Sequence, residues 1–184
     1  MYYAEIKKND IANGEGIRTS LFVSGCRNAC KNCFNREAWD FFYGKPFTDE
    51  VAEQIFKTLE PSFVSGLTLL GGEPMEPENQ RALLPFVREF KRRFPNKTLW
   101  LFTGNLYEEL IGETAGSPKH LDITEELLSY VDILVDGRYV EELKSLGIRF
   151  RGSTNQRVID MNKTREQGTV AIWDGCREDK TYDK

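Results

Sequence analysis

Short apolar runs and helical patterns alternate along this 184-residue chain, and the alternation limits the architectures open to it. Thr19 to Ser24, Gly66 to Leu70, Thr98 to Phe102 and Val131 to Val135 read as strands. Between the first two, Thr48 can cap a helix from Asp49 to Leu59, with acidic residues in its first turn and Val51, Ile55 and Leu59 along one face, ended by Pro61. Glu78 to Phe94 is helical in pattern, interrupted or kinked at Pro85. Shorter helices are expected near Leu106 to Ile111, Ile123 to Tyr130 and Tyr139 to Leu146. Such alternation gives a parallel sheet through right-handed crossovers, with ligands gathering at the strands' carboxyl ends. Pattern alone is equally compatible with an open doubly wound sheet and with a partial barrel.

The carboxyl end of the first strand is where the chemistry concentrates. Cys26, Cys30 and Cys33 follow it in one short stretch, Cys26-Arg27-Asn28-Ala29-Cys30-Lys31-Asn32-Cys33-Phe34-Asn35. A structural zinc site closes its tetrahedron with a fourth Cys or His. Here the other candidates are His120, in a Gly/Ser/Pro-rich loop, and the distant Cys176, and neither looks like half of a zinc pair. A four-iron cluster normally takes four thiolates, so three leave one iron open to a small molecule. After the second strand, Gly71 and Gly72 in Gly71-Gly72-Glu73-Pro74 lack Cβ atoms, so the backbone there can approach a ligand closely.

Composition narrows the setting. The length suits one domain, and no Pro/Gly/Ser-rich linker divides it; residues 1–162 are expected to form that domain and 163–184 a polar tail. Within the tail, Val170 to Trp173 can add an edge strand or dock on a partner. No apolar run approaches the roughly 20 residues of a membrane span, so no membrane is expected. The start Met1-Tyr2-Tyr3-Ala4-Glu5 lacks the pattern of a secretory signal, which gives the expectation of a cytoplasmic protein with reduced thiols. With 25 basic and 29 acidic residues and a net charge of −4, no nucleic-acid surface is expected. The basic run Lys91-Arg92-Arg93 closes a helix, where cations complement the dipole.

The spacing of the cysteines with Phe34 after them resembles the radical S-adenosylmethionine (SAM) superfamily. Asn13-Gly14-Glu15-Gly16-Ile17-Arg18-Thr19, Leu21-Phe22-Val23-Ser24-Gly25 and Gly71-Gly72-Glu73-Pro74 extend the likeness to the glycyl-radical-enzyme activases. Cys33-Phe34-Asn35 with Trp39, Val135-Asp136-Gly137 and Arg151-Gly152-Ser153-Thr154-Asn155-Gln156 resemble in particular the activases of anaerobic ribonucleoside-triphosphate reductase.

The resemblance implies an incomplete, curved (β/α) barrel of mostly parallel strands. It implies a 4Fe-4S cluster on Cys26, Cys30 and Cys33, whose open iron chelates SAM. One electron passing to the sulfonium then gives methionine and a 5′-deoxyadenosyl radical, which abstracts hydrogen from a glycine of the reductase large subunit. The implied SAM contacts are Asn32, Cys33, Phe34, Gly71, Gly72 and Glu73, and the electron donor would be a protein such as a flavodoxin or ferredoxin.

No protein side chain is assigned as a catalytic acid, base or nucleophile. Asn13-Gly14-Glu15-Gly16 precedes a strand and lacks the third glycine, which rejects a dinucleotide site. His120, Asp136 and Arg151 to Arg157 are left outside the site, and Cys176 is read as an ordinary thiol. The alternatives are an activase of pyruvate formate-lyase or another glycyl radical enzyme and, from another class, a non-enzymatic zinc-binding interaction module.

Overall fold

A computed structural model describes residues 1–176. It shows a mixed α/β protein built on one seven-stranded sheet in the order β3-β1-β2-β4-β5-β6-β7. The strands are β1 (Tyr2–Asp10), β2 (Ile17–Val23), β3 (Lys45–Pro46), β4 (Val64–Gly71), β5 (Thr98–Phe102), β6 (Ile133–Asp136) and β7 (Arg157–Asp160). The middle four, β2, β4, β5 and β6, are parallel as expected, whereas β1, β3 and β7 pair antiparallel at the two edges. Helices α1 (Asp49–Leu59), α2 (Pro77–Arg93), α3 (Tyr107–Leu110) and α4 (Thr124–Ser129) lie between the parallel strands, and α5 (Met161–Gln167) follows β7. No helix among the described residues is long and apolar enough to cross a membrane.

Strand alternation divides the core. Leu21, Val23, Leu67, Leu69, Leu99, Leu101 and Leu134 meet Ile55 and Leu59 of α1 and Leu83, Val87 and Phe90 of α2 on one face. The burial on α2 outweighs the cost of Pro85, and the helix is not interrupted at that residue. Thr48 caps α1 through its side chain, as read from the sequence. On the other face, Trp100 packs edge-on against Phe150 and Trp173, with Val135, Val158 and Cys176 beside them.

At the amino end of β2, Arg18 is buried and donates to Thr68 Oγ1 (2.7 Å), Thr98 Oγ1 (2.9 Å) and the carbonyls of Leu67 and Thr98 (2.8 Å each). Asn13 to Gly16 form the turn against this residue: a Cβ on Gly14, whose φ is +126°, would lie 2.8 Å from Arg18 Cδ. That turn is at the opposite sheet end from the cysteines.

Two further expectations need correction. The first strand in the chain is β1, whose polar Glu5-Ile6-Lys7-Lys8-Asn9 hides the pattern because most of its side chains face solvent. Tyr139 to Leu146 is not a helix: only Glu141–Leu143 makes a 3-10 turn, and Leu143 and Leu146 are 43% and 95% exposed. A short helix without a buried face has nothing to stabilise it. The chain then returns as β7 antiparallel to β6, a connection that needs no crossover helix.

The boundary drawn at residue 162 falls inside α5. Beyond it Ala171 accepts a hydrogen bond from Asp160 N–H, and Ile172 bridges Ile159, so the apolar stretch lies along the sheet edge. The remainder of the expected tail, 177–184, lies outside the described residues.

Candidate metal centre

Register places the two glycine-bearing loops side by side. Val23 of β2 is paired with Gly71 of β4, so Ser24-Gly25-Cys26 leaves the sheet next to Gly72-Glu73. Gly72 N–H donates to Val23 O (2.7 Å) and Glu73 N–H to Gly25 O (2.9 Å). On its other side the cysteine loop is held by Gly25 N–H to Ala38 O (2.8 Å), where Ala38 belongs to the 3-10 turn Arg36–Trp39. A Cβ on Gly72 would stand 2.7 Å from Gly25 O and 2.9 Å from Ala38 O. Its missing side chain therefore serves the close approach of two backbones.

Glu73 is fully buried. Its carboxylate accepts from the N–H groups of Met75 (3.0 Å) and Gly104 (2.8 Å) and from the side-chain amides of Asn28 (2.7 Å) and Asn105 (3.1 Å). One acid thus ties together the loops after β2, β4 and β5. Burial pushes its pKa up, opposed by these donors.

Glu76 makes a second tie. It accepts from Arg27 N–H (2.7 Å) and the Arg27 guanidinium (2.6 Å), and pairs with the buried Lys119 ammonium (2.5 Å). Asn79 bonds both Ser24 O (3.0 Å) and Glu73 O (2.9 Å). A cleft of about 570 Å³ opens beside this network, lined in part by Arg27, Asn28, Asn105, Lys119 and Arg138.

Cys26, Cys30 and Cys33 are half-buried, and none is in a disulfide. Burial pushes the Cys26 thiol up to about 12, with Glu73, Glu76 and Cys30 adding to the effect against a hydrogen bond from Asn28 N–H. Cys30 is raised by burial and by Cys33, against Arg138 and a hydrogen bond from Tyr139 N–H. Metal binding here must displace thiol protons.

Among the described residues no three His, Cys, Asp or Glu side chains converge on one ion. A cubane gives each thiolate its own iron, so three thiols spaced along one loop, none of them in a disulfide, form a donor set that fits it. His120 instead bonds Leu110 O (2.8 Å), and Cys176 sits in the apolar cluster around Trp100.

The chain was compared with known proteins. A family model described as a 4Fe-4S single cluster domain matches residues 12–159. Proteins named anaerobic ribonucleoside-triphosphate reductase-activating protein match over most of their length. That of Pasteurella multocida is 39% identical over 158 residues, covering 85% of this chain and 95% of the relative. Those of Enterobacteria phage T4 and Escherichia coli K12 are 38% and 35% identical, each over 86% of this chain and over 93% and 97% of the relative. The chain belongs to this activating-protein family.

The matched segment contains all three clustered cysteines and excludes Cys176. Of the other sequence-derived site residues, Gly71, Gly72 and Glu73 adjoin the cysteine loop, whereas Asn32 and Phe34 are exposed, Phe34 to 93%. None of Asn32, Cys33, Phe34, Gly71, Gly72 or Glu73 lines the cleft. Glu73 is saturated by protein donors, which makes it an organiser of loops.

Sequence reading missed Arg27, Asn28, Glu76, Asn105 and Lys119. For Arg27, Asn28 and Glu76 a signal existed: they lie within or beside the two motifs, at polar positions that a bound loop has to satisfy. Buried Asp136 pairs with the partly exposed Arg157, which extends the contact to Glu108 (2.7 Å). That accounts for Asp136 as a structural acid.

Proposed function

We propose that this protein activates an anaerobic ribonucleoside-triphosphate reductase by generating a glycyl radical on its large subunit, acting as a radical SAM oxidoreductase. Cys26, Cys30 and Cys33 would hold a 4Fe-4S cluster. SAM would bind at its open iron, with Asn32, Cys33, Phe34, Gly71, Gly72 and Glu73 around it. When bound, the cluster and SAM supply the electron and the hydrogen-abstracting radical.

The observation that carries this reading is that the loop bearing the three thiols leaves the sheet beside Gly71-Gly72-Glu73, at the carboxyl ends of adjacent parallel strands. The protein's own contribution is placement. Glu73 and Glu76 fix the cysteine loop against its neighbours, and the backbone around Gly72 leaves no side chain between the two loops. We further infer that the sheet is an incomplete (β/α) barrel of the radical SAM type, a reading supported by the four parallel strands whose carboxyl ends bear the motifs. A flavodoxin or ferredoxin in the cytoplasm is the proposed electron source.

The test is anaerobic incubation of the reconstituted protein with reductant, SAM and candidate glycyl radical enzymes, read by electron paramagnetic resonance. A glycyl radical on the reductase with matching 5′-deoxyadenosine is expected. SAM cleavage on a small molecule with no radical on the reductase would overturn the proposal.

A further inference from the structure

Arg151-Gly152-Ser153-Thr154-Asn155-Gln156 contributes no residue to the cleft beside the cysteine loop. Its hydrogen bonds go instead to the chain that leaves β6. Gln156 Nε2 donates to Gly137 O (2.9 Å) and Asn155 Nδ2 to Arg138 O (2.8 Å). The hydroxyl of buried Ser153 accepts from Val140 N–H (3.2 Å), Thr154 N–H donates to Leu143 O (2.9 Å), and Ser145 N–H donates to Gly152 O (3.2 Å). Residues 137–145 are thus fastened along their length, although their one regular element is the 3-10 turn Glu141–Leu143.

What this bracket holds out is apolar. Leu143 is 43% exposed and Leu146 95%. Ordering the backbone costs about 1–2 kcal/mol per residue, and side chains left in water return little of it. Exposed leucines on a segment held this firmly mark a surface that another molecule covers, because a preorganised loop spares a complex the cost of ordering it.

The position of the bracket says which molecule. Arg138 lines the cleft, and its charge acts on the Cys30 thiol. Further along, Glu142 pairs with Lys31, between the second and third cysteines, at 3.0 Å. A protein that presents a glycine to an iron held by this loop has to come in over the loop and the bracket tied to it. The charges add a second criterion. Glu141 is engaged by Tyr139 Oη and Glu142 by Lys31, whereas Arg138 and Lys144 have no side-chain partner among the described residues. Apolar anchors beside uncompensated cations suit an apolar patch bordered by carboxylates.

We propose that residues 138–146 are a docking surface for the reductase large subunit, with Leu143 and Leu146 as anchors and Lys144 between them meeting carboxylates of the partner. This rests on the function proposed above and names the surface through which the protein substrate is held. The bracket takes no part in electron or hydrogen transfer.

The experiment compares cluster-loaded wild type and variants anaerobically for binding to immobilised reductase large subunit, for SAM cleavage by the isolated protein under dithionite, and for glycyl radical by electron paramagnetic resonance. Leu143→Asp/Leu146→Asp should load iron and cleave SAM like wild type, while its dissociation constant for the reductase rises about tenfold or more. Radical yield at limiting reductase should fall with it and recover as reductase is raised. Lys144→Glu should weaken binding and flatten its salt dependence. Phe63→Asp, exposed just before β4 at the opposite sheet end, should bind as wild type does. Wild-type affinity in the double variant overturns the proposal, as does an equal loss in Phe63→Asp. A wild-type dimer that the double variant breaks at unchanged affinity for the reductase overturns it too, by giving the surface to a second copy. If the double variant does not fold, amide hydrogen exchange in wild type decides: exchange in 139–147 has to slow when the reductase binds, and no slowing overturns the proposal. Wild type that cleaves SAM yet raises no radical on bound reductase would instead defeat the proposed function.

Discussion

Glu76 grips Arg27 twice, accepting its backbone N–H at 2.7 Å and its guanidinium at 2.6 Å from a fully buried position, while the same carboxylate neutralises Lys119. The residue next to the first cysteine is thereby locked to the start of α2. Removing one member of a buried ion pair leaves its partner charged and out of water, at a cost of about 3–5 kcal/mol. Arg27 is half-exposed and recovers solvent, so the lower end applies. Glu76→Ala should destabilise the cluster-free protein by about 3 kcal/mol and hasten iron loss, as read by urea denaturation and iron release. Glu78→Ala, which removes only an exposed partner of Arg27, should cost no more than about 1 kcal/mol. Equal losses in the two variants would contradict the assigned role of Glu76.

Asp10 gives a pH dependence remote from the cysteines. Burial alone would raise its pKa, but hydrogen bonds from Ser20, Asn13, Ala12 and Lys7 hold it down to about 2, against an ordinary 3.8. A depressed carboxylate stabilises the fold above the unfolded-state pKa, and that stability is lost as pH falls through the folded-state value. The window is therefore roughly pH 4 to 2, and at 1.36 kcal/mol per unit the full contribution is about 2 kcal/mol. Asp10→Asn should be less stable than wild type at pH 7 by about this amount, and the gap should close toward pH 2. A gap that persists at pH 2 would show that packing, not ionisation, was lost.

How much of this was legible in the sequence follows from where each element gets its stability. The central strands and α1 announced themselves because their apolar periodicity is what buries Leu21, Leu69, Leu101 and Ile55. The cysteine loop and Gly71-Gly72-Glu73 were legible as motifs because their chemistry needs particular residue types. Missing from the pattern were β1, which is stabilised by pairing more than by burial, and β7, only four residues long. The helix expected from Tyr139 to Leu146 had the right spacing but no surface to pack on. Within the site, Glu73 read as a charge for a ligand, and only the fold shows it satisfied by Gly104 and Asn105, which are some 30 residues distant in the chain.

The division between clustered and remote cysteines is open to direct test. Cys26→Ser, Cys30→Ser and Cys33→Ser should each lose the visible absorption and most of the iron of the reconstituted protein, since each removes one of three thiolates. Cys176 lies among Trp100, Val158 and Trp173, so Cys176→Ser should retain the chromophore while losing about 1–3 kcal/mol from burial of a more polar group. Loss of iron from Cys176→Ser without unfolding would make it a fourth ligand and close the iron reserved for SAM.

Gly72 separates two reasons for a glycine beside a ligand. If its role were only to let SAM approach, a methyl group would weaken SAM binding and leave the cysteine loop alone. In the fold, that methyl would lie 2.7 Å from Gly25 O and 2.9 Å from Ala38 O, both backbone atoms of the cysteine loop and its flank. Neither can rotate away as a flexible side chain would, so the loop itself has to shift. Overpacking of this kind costs about 1–3 kcal/mol. Gly72→Ala should therefore unfold at lower urea concentration than wild type and release iron faster, before any SAM is added. Wild-type stability and iron retention in Gly72→Ala, combined with weak SAM binding, would return this glycine to the ligand and break the proposed link between the two loops.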